Sequence, residues 1–369
     1  ATPQASIAAP NIEQIRRIAQ TQNATLVEYA ILENDLLPFQ PHQPQPSTLL
    51  IWVIAPSGQV TLRQVDLSFL QAENRSLEDL LVEVRQALGL RGLGLVSTNL
   101  ARAPETPSSP TVNQQLQRLH QLLIQPIADL LPSNPDDRVI FLPQRELFFV
   151  PFAALQDRSG KYLIESHTIL SAPSIQVLDL TQRQAQRPRQ TATNALVVGN
   201  PTMPRVALAA GEPPEQLAPL PGAEQEARAI AQLLQTQAIT GNQATKARIL
   251  QQMPTAGVIH LATHGLIDDL KGLGVPGAIA LAPSGSDSGL LTADEILNLQ
   301  LQAELVVLSA CDTGRGRITG DGVIGLSRSF LSAGVSSLVV SLWAVPDAPT
   351  AVLMTEFYRQ LQQQPDRAK

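Results

Sequence analysis

Residues 305–314 of the chain are Leu305-Val-Val-Leu-Ser-Ala-Cys311-Asp-Thr-Gly314, and this stretch decides the predicted fold. An apolar, β-branched run that ends in Asp and Gly predicts a buried strand followed by a loop at its carboxyl end. In open α/β sheets, loops in that position carry the chemistry of the site. Residues 258–265, Val-Ile-His-Leu-Ala-Thr-His-Gly, repeat the arrangement with His264 in the place of the thiol. The two stretches therefore predict two equivalent strand ends, one with a cysteine and one with a histidine.

The segments around these two strands alternate between strand and helix patterns. The alternation predicts right-handed crossovers and a mainly parallel sheet with helices on its faces, an α/β fold. If the two strands are neighbours, His264 and Cys311 meet across a shallow cleft. The predicted strands are 195–198, 238–240, 257–262, 305–310 and 335–342, and the predicted helices are 220–234, 244–253, 322–333 and 349 onward.

The first half of the chain is also predicted to be α/β, but it offers no cysteine and no suitable histidine partner. We expect an N-terminal helix, strand and Pro/Gln-rich loop in residues 1–48 and an α/β domain in residues 49–182. A polar linker, residues 181–193, then leads to the second domain, residues 194–369. Within the first half the predicted strands are 49–55 and 60–65, which form a hairpin, and 138–142, 147–151 and 162–170.

Length and composition restrict the class of protein. The chain has 369 residues, of which 44% are hydrophobic and 16% charged, values that fit two domains with buried parallel sheet. A formal charge of −6 argues against nucleic-acid binding, which needs a basic face. One cysteine cannot form an internal disulfide, so we expect a cytoplasmic protein. We expect no membrane span and no signal peptide, and the lack of an initial Met and of a cap on the last helix predicts a fragment.

A cysteine and a histidine on equivalent loops can form a catalytic pair. The thiolate is the nucleophile, and an imidazole that takes its proton raises the reactive fraction at neutral pH. The histidine precedes the cysteine by about 50 residues, as in caspases. The backbone N–H groups of Gly265 and Cys311 are candidate donors for the developing oxyanion. The pattern favours a cysteine peptidase.

Other interpretations stay open for individual residues. A lone cysteine after a strand is often only a small buried hydrophobe. His260 invites a zinc site with His264, Cys311 and Asp268, but a strand separates the two histidines too far, so we expect no metal and no cofactor. His260 is better interpreted as a buried, hydrogen-bonded strand residue. We expect no function for the three histidines of the first half, which are His42, His120 and His167.

Three motifs, two of them quoted above, give the chain a family resemblance. Residues 259–265 (Ile-His-Leu-Ala-Thr-His-Gly), 290–295 (Leu-Leu-Thr-Ala-Asp-Glu) and 306–314 resemble the CHAT domain, a caspase-like peptidase module usually found beside tetratricopeptide repeats. The likeness continues through residues 320–330, 333–334 and 341–347, and upstream through 147–155 and 160–165.

The resemblance implies a caspase-like three-layer sandwich with a His264–Cys311 dyad, preceded by an inactive, protease-like α/β half. It also implies a substrate pocket for basic side chains, with Asp347 as the acidic residue. Asp312 has two interpretations: it lines the same pocket or it braces the turn. Asp347 has an equally good interpretation as a helix cap before Pro349. The family's repeats and its C-terminal strand are missing from this sequence, so we expect tetratricopeptide repeats elsewhere in the full-length protein or in a partner.

These observations predict a cysteine endopeptidase that cleaves protein substrates after a basic residue. Two other functions stay open. The first is a non-catalytic signalling module that binds partners through the same cleft, and the second is an acyl-transfer enzyme for small molecules.

Overall fold

The computed structural model describes residues 10–32, 48–73, 75–88, 111–186, 194–207, 213–266, 277–310, 320–341 and 345–364. The chain divides into two compact units, the first ending at Leu180 and the second beginning at Thr181. Both units are mixed α/β structures built around a five-stranded sheet. The predicted α/β class is therefore confirmed.

The first unit contains five strands in the order β3-β2-β1-β4-β5. Strand β1 pairs antiparallel with β2 and parallel with β4, so the sheet is mixed. Strand β1, from the segment expected to precede this half, is its central strand. The elements are α1 (Ile12–Gln22), β1 (Ala24–Leu32), β2 (Thr48–Ile54), β3 (Val60–Asp66), α2 (Ser68–Ala72), α3 (Leu77–Ala87), α4 (Val112–Leu123), β4 (Arg138–Leu142), β5 (Thr168–Ser171) and α5 (Ile175–Ala185).

One predicted strand of the first unit is wrong. Leu147 to Pro151 do not form a strand; a 3₁₀-helix, Arg145–Phe149, occupies most of this segment. The N–H of Leu147 bonds the carbonyl of Gln144 at 3.1 Å, which closes a turn where a strand would extend. Short apolar runs fit either structure, because burial of Leu147 and Phe149 requires only that they face one core. The predicted strand 162–170 likewise contains a 3₁₀-helix, Leu163–Glu165, and becomes extended only at Thr168.

The main sheet of the second unit has the order β15-β14-β10-β6-β9, and all of its pairs are parallel. Two small antiparallel sheets, β11-β12-β13 and β7-β8, accompany it. The elements are β6 (Ala195–Pro201), β7 (Arg205–Val206), β8 (Glu215–Gln216), α6 (Pro221–Leu233), β9 (Ala238–Gly241), α7 (Lys246–Gln252), β10 (Val258–Thr263), β11 (Gly265–Leu266), β12 (Ala278–Ala280), β13 (Leu290–Thr292), α8 (Ala293–Leu297), β14 (Leu305–Ala310), α9 (Gly320–Ser332), β15 (Ser337–Val340) and α10 (Asp347–Gln363).

Alternating side chains of the central strands build two cores in this unit. Ile259 and Leu261 of β10 face the side packed by α7, α8 and α9. The opposite face, which carries Val197 of β6 and Val307 of β14, packs against α6 and α10. Because successive side chains of a strand point to opposite faces, one sheet supplies both cores. The second unit is therefore a three-layer sandwich, as the family resemblance implies.

Candidate active site

The histidine strand and the cysteine strand are immediate neighbours. Strands β10 and β14 pair in parallel, with Val258 opposite Leu305 and Thr263 opposite Ala310. His264 and Cys311 are thus the residues that follow the last pair of this register, on strands about 4.8 Å apart. Cys311 and Asp312 themselves lie outside the described residues. The prediction that the two strands lie side by side is confirmed.

The imidazole of His264 is buried, and one of its nitrogens is bound. Its side chain is only 2% exposed. Nε2 lies 2.7 Å from the carbonyl oxygen of Ala218. Because a carbonyl only accepts, Nε2 carries a hydrogen and donates the hydrogen bond. Nδ1 is buried and has no hydrogen-bond partner among the described residues. In the neutral imidazole this arrangement makes Nδ1 the acceptor nitrogen, at the carboxyl end of β10.

The segment that presents the Ala218 carbonyl is held on both sides. The N–H of Leu217 donates to the carbonyl of Pro204 at 3.2 Å, and the N–H of Leu220 donates to Oδ1 of Asn200 at 2.8 Å. Asn200 lies near the carboxyl end of β6 with a φ of 44°. Sequence reasoning missed Ala218 and Asn200. The Gly-Asn-Pro sequence that ends β6 was the available signal, since Asn tolerates the left-handed conformation and can bond a nearby backbone group.

Helix α6 lies unusually close to the sheet beside this segment. A Cβ at Gly199 would be 2.3 Å from the carbonyl oxygen of Ala223 and 2.4 Å from Cβ of Ala227. Only glycine on β6 and small residues on α6 allow this approach. The close packing places the beginning of α6 beside the carboxyl ends of the central strands.

Gly265 begins a second, short sheet directly after the histidine. It lies opposite Ile279 in the β11–β12 pair, and the neighbouring pair is joined by a 2.9 Å bond from the N–H of Ala280 to the carbonyl of His264. Hydrogen-bonded and non-bonded pairs alternate along antiparallel strands. The N–H of Gly265 therefore points away from β12, where it is available to another acceptor.

Asp347 is the first residue of α10, and its carboxylate contacts a different helix. Oδ2 accepts a 2.6 Å hydrogen bond from the N–H of Gly222, in the first turn of α6. The interpretation of Asp347 as a residue that caps a helix has support here, but the capped helix is α6: in its own helix the N-cap is Pro346, and no side chain caps that end. The assignment of Asp347 and Asp312 to substrate binding stays a prediction.

His260 is a buried strand residue, which confirms the structural interpretation of this histidine. It is fully buried, with Nε2 2.9 Å from Oε1 of Glu226 on α6 and Nδ1 3.3 Å from the hydroxyl of Tyr358 on α10. Burial, with the nearby Glu226 charge, raises the pKa of Tyr358 far above its ordinary value. The cluster connects both helices to β10. Glu226 and Tyr358 could not be assigned from the sequence because their contacts join distant segments.

Ser309 adds another unsatisfied group to this face of the sheet. It lies on β14 opposite Ala262, 4% exposed, and its Oγ has no hydrogen-bond partner within the described part of the chain. Because register partners in a parallel pair share a face, Ser309 lies on the same side as His260. Buried polar groups without partners are rare in folded proteins, so Ser309 calls for an explanation.

The described residues contain no candidate metal site and no candidate membrane-spanning helix. Among them, no cluster of three or more His, Cys, Asp or Glu side chains is suited to hold a metal ion. No described helix has the length and apolar character needed to cross a bilayer. His120 lies in α4 and His167 just before β5, and burial lowers the pKa of both; His42 lies outside the described residues.

Comparison with known proteins gives one family. The model of the CHAT domain matches residues 113–369. Tetratricopeptide repeat protein 28 of Mus musculus is 30% identical over 288 residues, which cover 67% of this chain and 12% of that protein. Tetratricopeptide repeat protein 28 of Homo sapiens is 31% identical over 288 residues, with 67% and 11% covered. The chain thus spans about an eighth of the length of these relatives. The extent of the family match shows that this chain belongs to the CHAT domain family, which is related to the caspase-like peptidases.

Proposed function

We propose that the chain is a cysteine endopeptidase with His264 and Cys311 as its catalytic pair. One observation carries this proposal: among the described residues His264 has a bound Nε2 and a buried Nδ1 without a partner, at the end of a strand whose parallel neighbour leads directly into Cys311. A histidine held by a carbonyl through one nitrogen has its other nitrogen available as a base. Both strands end at the same edge of the sheet, which supports a position of Cys311 near His264.

The proposed reaction proceeds by nucleophilic catalysis in two halves. Nδ1 of His264 takes the thiol proton of Cys311, and the sulfur bonds to the scissile carbonyl carbon. The imidazolium then gives that proton to the amine as the C–N bond breaks, which leaves a thioester. Water attacks the thioester after losing a proton to His264, the carboxylic acid product departs and the thiol is restored. The Ala218 carbonyl stabilises the imidazolium through its bond to Nε2–H.

Two backbone N–H groups are proposed to bind the oxyanion. The pairing of β11 and β12 supports Gly265 in this role, because its N–H points away from β12. The N–H of Cys311 is the second proposed donor. Fixed backbone donors stabilise the charge that develops on the carbonyl oxygen.

We further propose that the substrate is a protein cut after Arg or Lys, with Asp347 and Asp312 lining the pocket. Asp347 is partly exposed and lies beside the segment that holds His264. A carboxylate pairs well with a guanidinium or an ammonium group. The relatives are named for tetratricopeptide repeats, and we propose that such repeats, outside this sequence, deliver the protein substrate. A catalytic thiol that must stay reduced fits a cytoplasmic location.

The test uses the fact that Cys311 is the only cysteine of the chain. Alkylation by iodoacetamide therefore reports this thiol alone. A catalytic thiol should react rapidly at pH 6 to 7, and His264→Ala should move the onset of reaction toward pH ~8.5, the range of a free cysteine. Slow reaction of the unaltered chain below pH 8 would favour the non-catalytic module.

A peptide library varied at the residue before the cut tests the reaction itself. We expect cleavage after Arg and Lys by the unaltered chain and none by Cys311→Ala. Ser171→Ala, at the exposed end of β5 in the first unit, is the matched control for a small side-chain deletion. Equal cleavage by the unaltered chain and Cys311→Ala would overturn the proposal. Turnover of small thioesters without cleavage of peptides would favour acyl transfer.

A further inference from the structure

The carboxylate of Asp347, on α10, contacts the backbone in the first turn of α6. Its Oδ2 accepts the 2.6 Å hydrogen bond from the N–H of Gly222. A Cβ at position 222 would lie 2.6 Å from Cγ of Asp347 and less than 3 Å from both of its carboxylate oxygens. Glycine at 222 is therefore required for this contact. The negative charge also complements the partial positive charge at the beginning of α6.

The contact between Asp347 and Gly222 lies four residues along the chain from Ala218. Gly222 follows Pro221 and Leu220 in a short segment that begins at Ala218, the residue whose carbonyl binds Nε2 of His264. Leu220 is already fixed to Asn200 of β6. Asp347 fixes the other end of the same segment from α10. The segment that holds the imidazole is thus attached to β6 on one side and to α10 on the other.

We propose that Asp347 is a positioning residue for His264: by holding Gly222, it keeps the Ala218 carbonyl in place and so keeps the His264 proton on Nε2. This inference rests on the proposed peptidase function and deepens it, because it gives one carboxylate two separable tasks. The hydrogen-bond acceptor positions the base. The charge selects the substrate side chain. Loss of the first task lowers kcat, whereas loss of the second weakens only the preference for a basic residue.

Three substitutions separate the two tasks. Asp347→Asn keeps an acceptor oxygen but removes the charge, Asp347→Ala removes both, and Gly222→Ala keeps the charge but displaces it from the helix. Asp294→Ala is the matched control, since Asp294 is an exposed acidic residue in the first turn of α8. Thermal unfolding of each variant establishes that it is folded before kinetics are measured.

We expect distinct kinetic patterns with peptides that carry Arg or a neutral residue before the cut. Asp347→Asn should keep kcat for both peptides and lose about tenfold in kcat/KM for Arg alone. Asp347→Ala and Gly222→Ala should lose about 10- to 100-fold in kcat for both peptides, the effect of a misplaced base. Asp294→Ala should behave as the unaltered chain. Unchanged kcat in folded Asp347→Ala and Gly222→Ala would overturn the inference.

A spectroscopic measurement keeps this inference distinct from the proposed function. The ¹⁵N shifts of the imidazole nitrogens report which nitrogen carries the proton, and His264→Gln identifies the His264 signals among five histidines. We expect a protonated Nε2 in the unaltered chain and in Asp347→Asn, and mixed tautomers in Asp347→Ala. A chain that cleaves no peptide but shows this change would refute the peptidase and retain the positioning role. An unchanged tautomer in folded Asp347→Ala would refute the positioning role alone.

Discussion

The two units share an architecture of helices on both faces of a five-stranded sheet, yet the carboxyl ends of their central strands differ. In the first unit the β1–β4 register ends at Glu28 opposite Leu142. Two residues after Leu142, the side-chain oxygen of Gln144 accepts a 2.9 Å hydrogen bond from the N–H of Ile31. In the second unit the β10–β14 register ends at Thr263 opposite Ala310. The next residue after Thr263 in the chain, His264, has a ring nitrogen without a partner in the described part of the chain.

This difference separates a structural strand end from a candidate site. In the first unit a polar side chain satisfies the backbone, and the apolar 3₁₀-helix Arg145–Phe149 follows. In the second unit the carbonyl of Ala218 binds only half of the imidazole, and the buried Ser309 also lacks a partner within the described residues. The same layers therefore serve different purposes, because function depends on the side chains placed at the strand ends.

The largest effect should distinguish one histidine from another. His264→Gln should lower kcat for peptide cleavage by about 10²- to 10⁴-fold, the usual contribution of a general base. His120→Gln, in α4 of the first unit, should leave kcat unchanged once the variant is shown to be folded. Steady-state kinetics with one Arg-containing peptide measures both variants. Equal losses in the two variants would erase the distinction between the units.

A change in the buried cluster of His260, Glu226 and Tyr358 in the second unit should have the next largest effect. Glu226→Ala removes the carboxylate that lies 2.9 Å from Nε2 of the fully buried His260, so a buried polar group loses its neighbour and the free energy of unfolding should fall by about 1 to 3 kcal/mol. Glu356→Ala, which breaks an exposed pair with Arg359 on α10, should leave the free energy of unfolding nearly unchanged, because solvent screens the pair. Urea unfolding gives both values. A loss below 1 kcal/mol for Glu226→Ala would mean that the cluster contributes little.

The close approach of α6 to the sheet should be sensitive to a single methyl group. Gly199→Ala places Cβ 2.3 Å from a carbonyl oxygen, so overpacking should cost about 1 to 3 kcal/mol and lower kcat as α6 moves. Gly160→Ala in the first unit meets no atom within 4 Å; its φ of +86° adds strain of about 1 kcal/mol without affecting kcat. Unaltered cleavage by Gly199→Ala would show that the helix position does not matter.

As the pH falls, the contributions of Glu28 in the first unit and Glu295 in the second to the free energy of unfolding should change in opposite directions. Burial raises the pKa of Glu28, so this group opposes folding at neutral pH and opposes it less as pH falls through its folded pKa. Burial also acts to raise the pKa of Glu295, but the N–H of Thr292 and the charge of Lys246 outweigh it and lower the pKa. Its stabilisation is present above the ordinary value of 4.5 and is lost as pH falls through the lower, folded pKa.

The corresponding Gln variants test this contrast by urea unfolding at a series of pH values. Glu28→Gln should increase the free energy of unfolding at pH 7, and the increase should diminish toward pH 4. Glu295→Gln should decrease it at pH 7, and that decrease should likewise diminish in acid. Shifts of the same sign at pH 7 would contradict the assigned environments.

Most of the second unit could be predicted because its elements are long and periodic. The strands at 258–263 and 305–310 have continuous apolar runs bounded by turn residues, and their parallel pairing fits the strand and helix alternation of this half. The error at Leu147 to Pro151 occurred where the apolar run was too short to separate a strand from a turn. Local pattern fails there because tertiary packing, not periodicity, selects the backbone conformation.

The amino-acid sequence by itself determined the α/β class, the pairing of the histidine and cysteine strands and the family, since these depend on local patterns and motifs. Only the tertiary structure decided which groups support the histidine. Ala218, Asn200 and the link from Asp347 to Gly222 come from separate elements, and each contact joins a side chain to a backbone group that no local sequence pattern singles out. A carbonyl has the same chemistry at every residue, so its use as a ligand for an imidazole becomes visible only when the chain has folded.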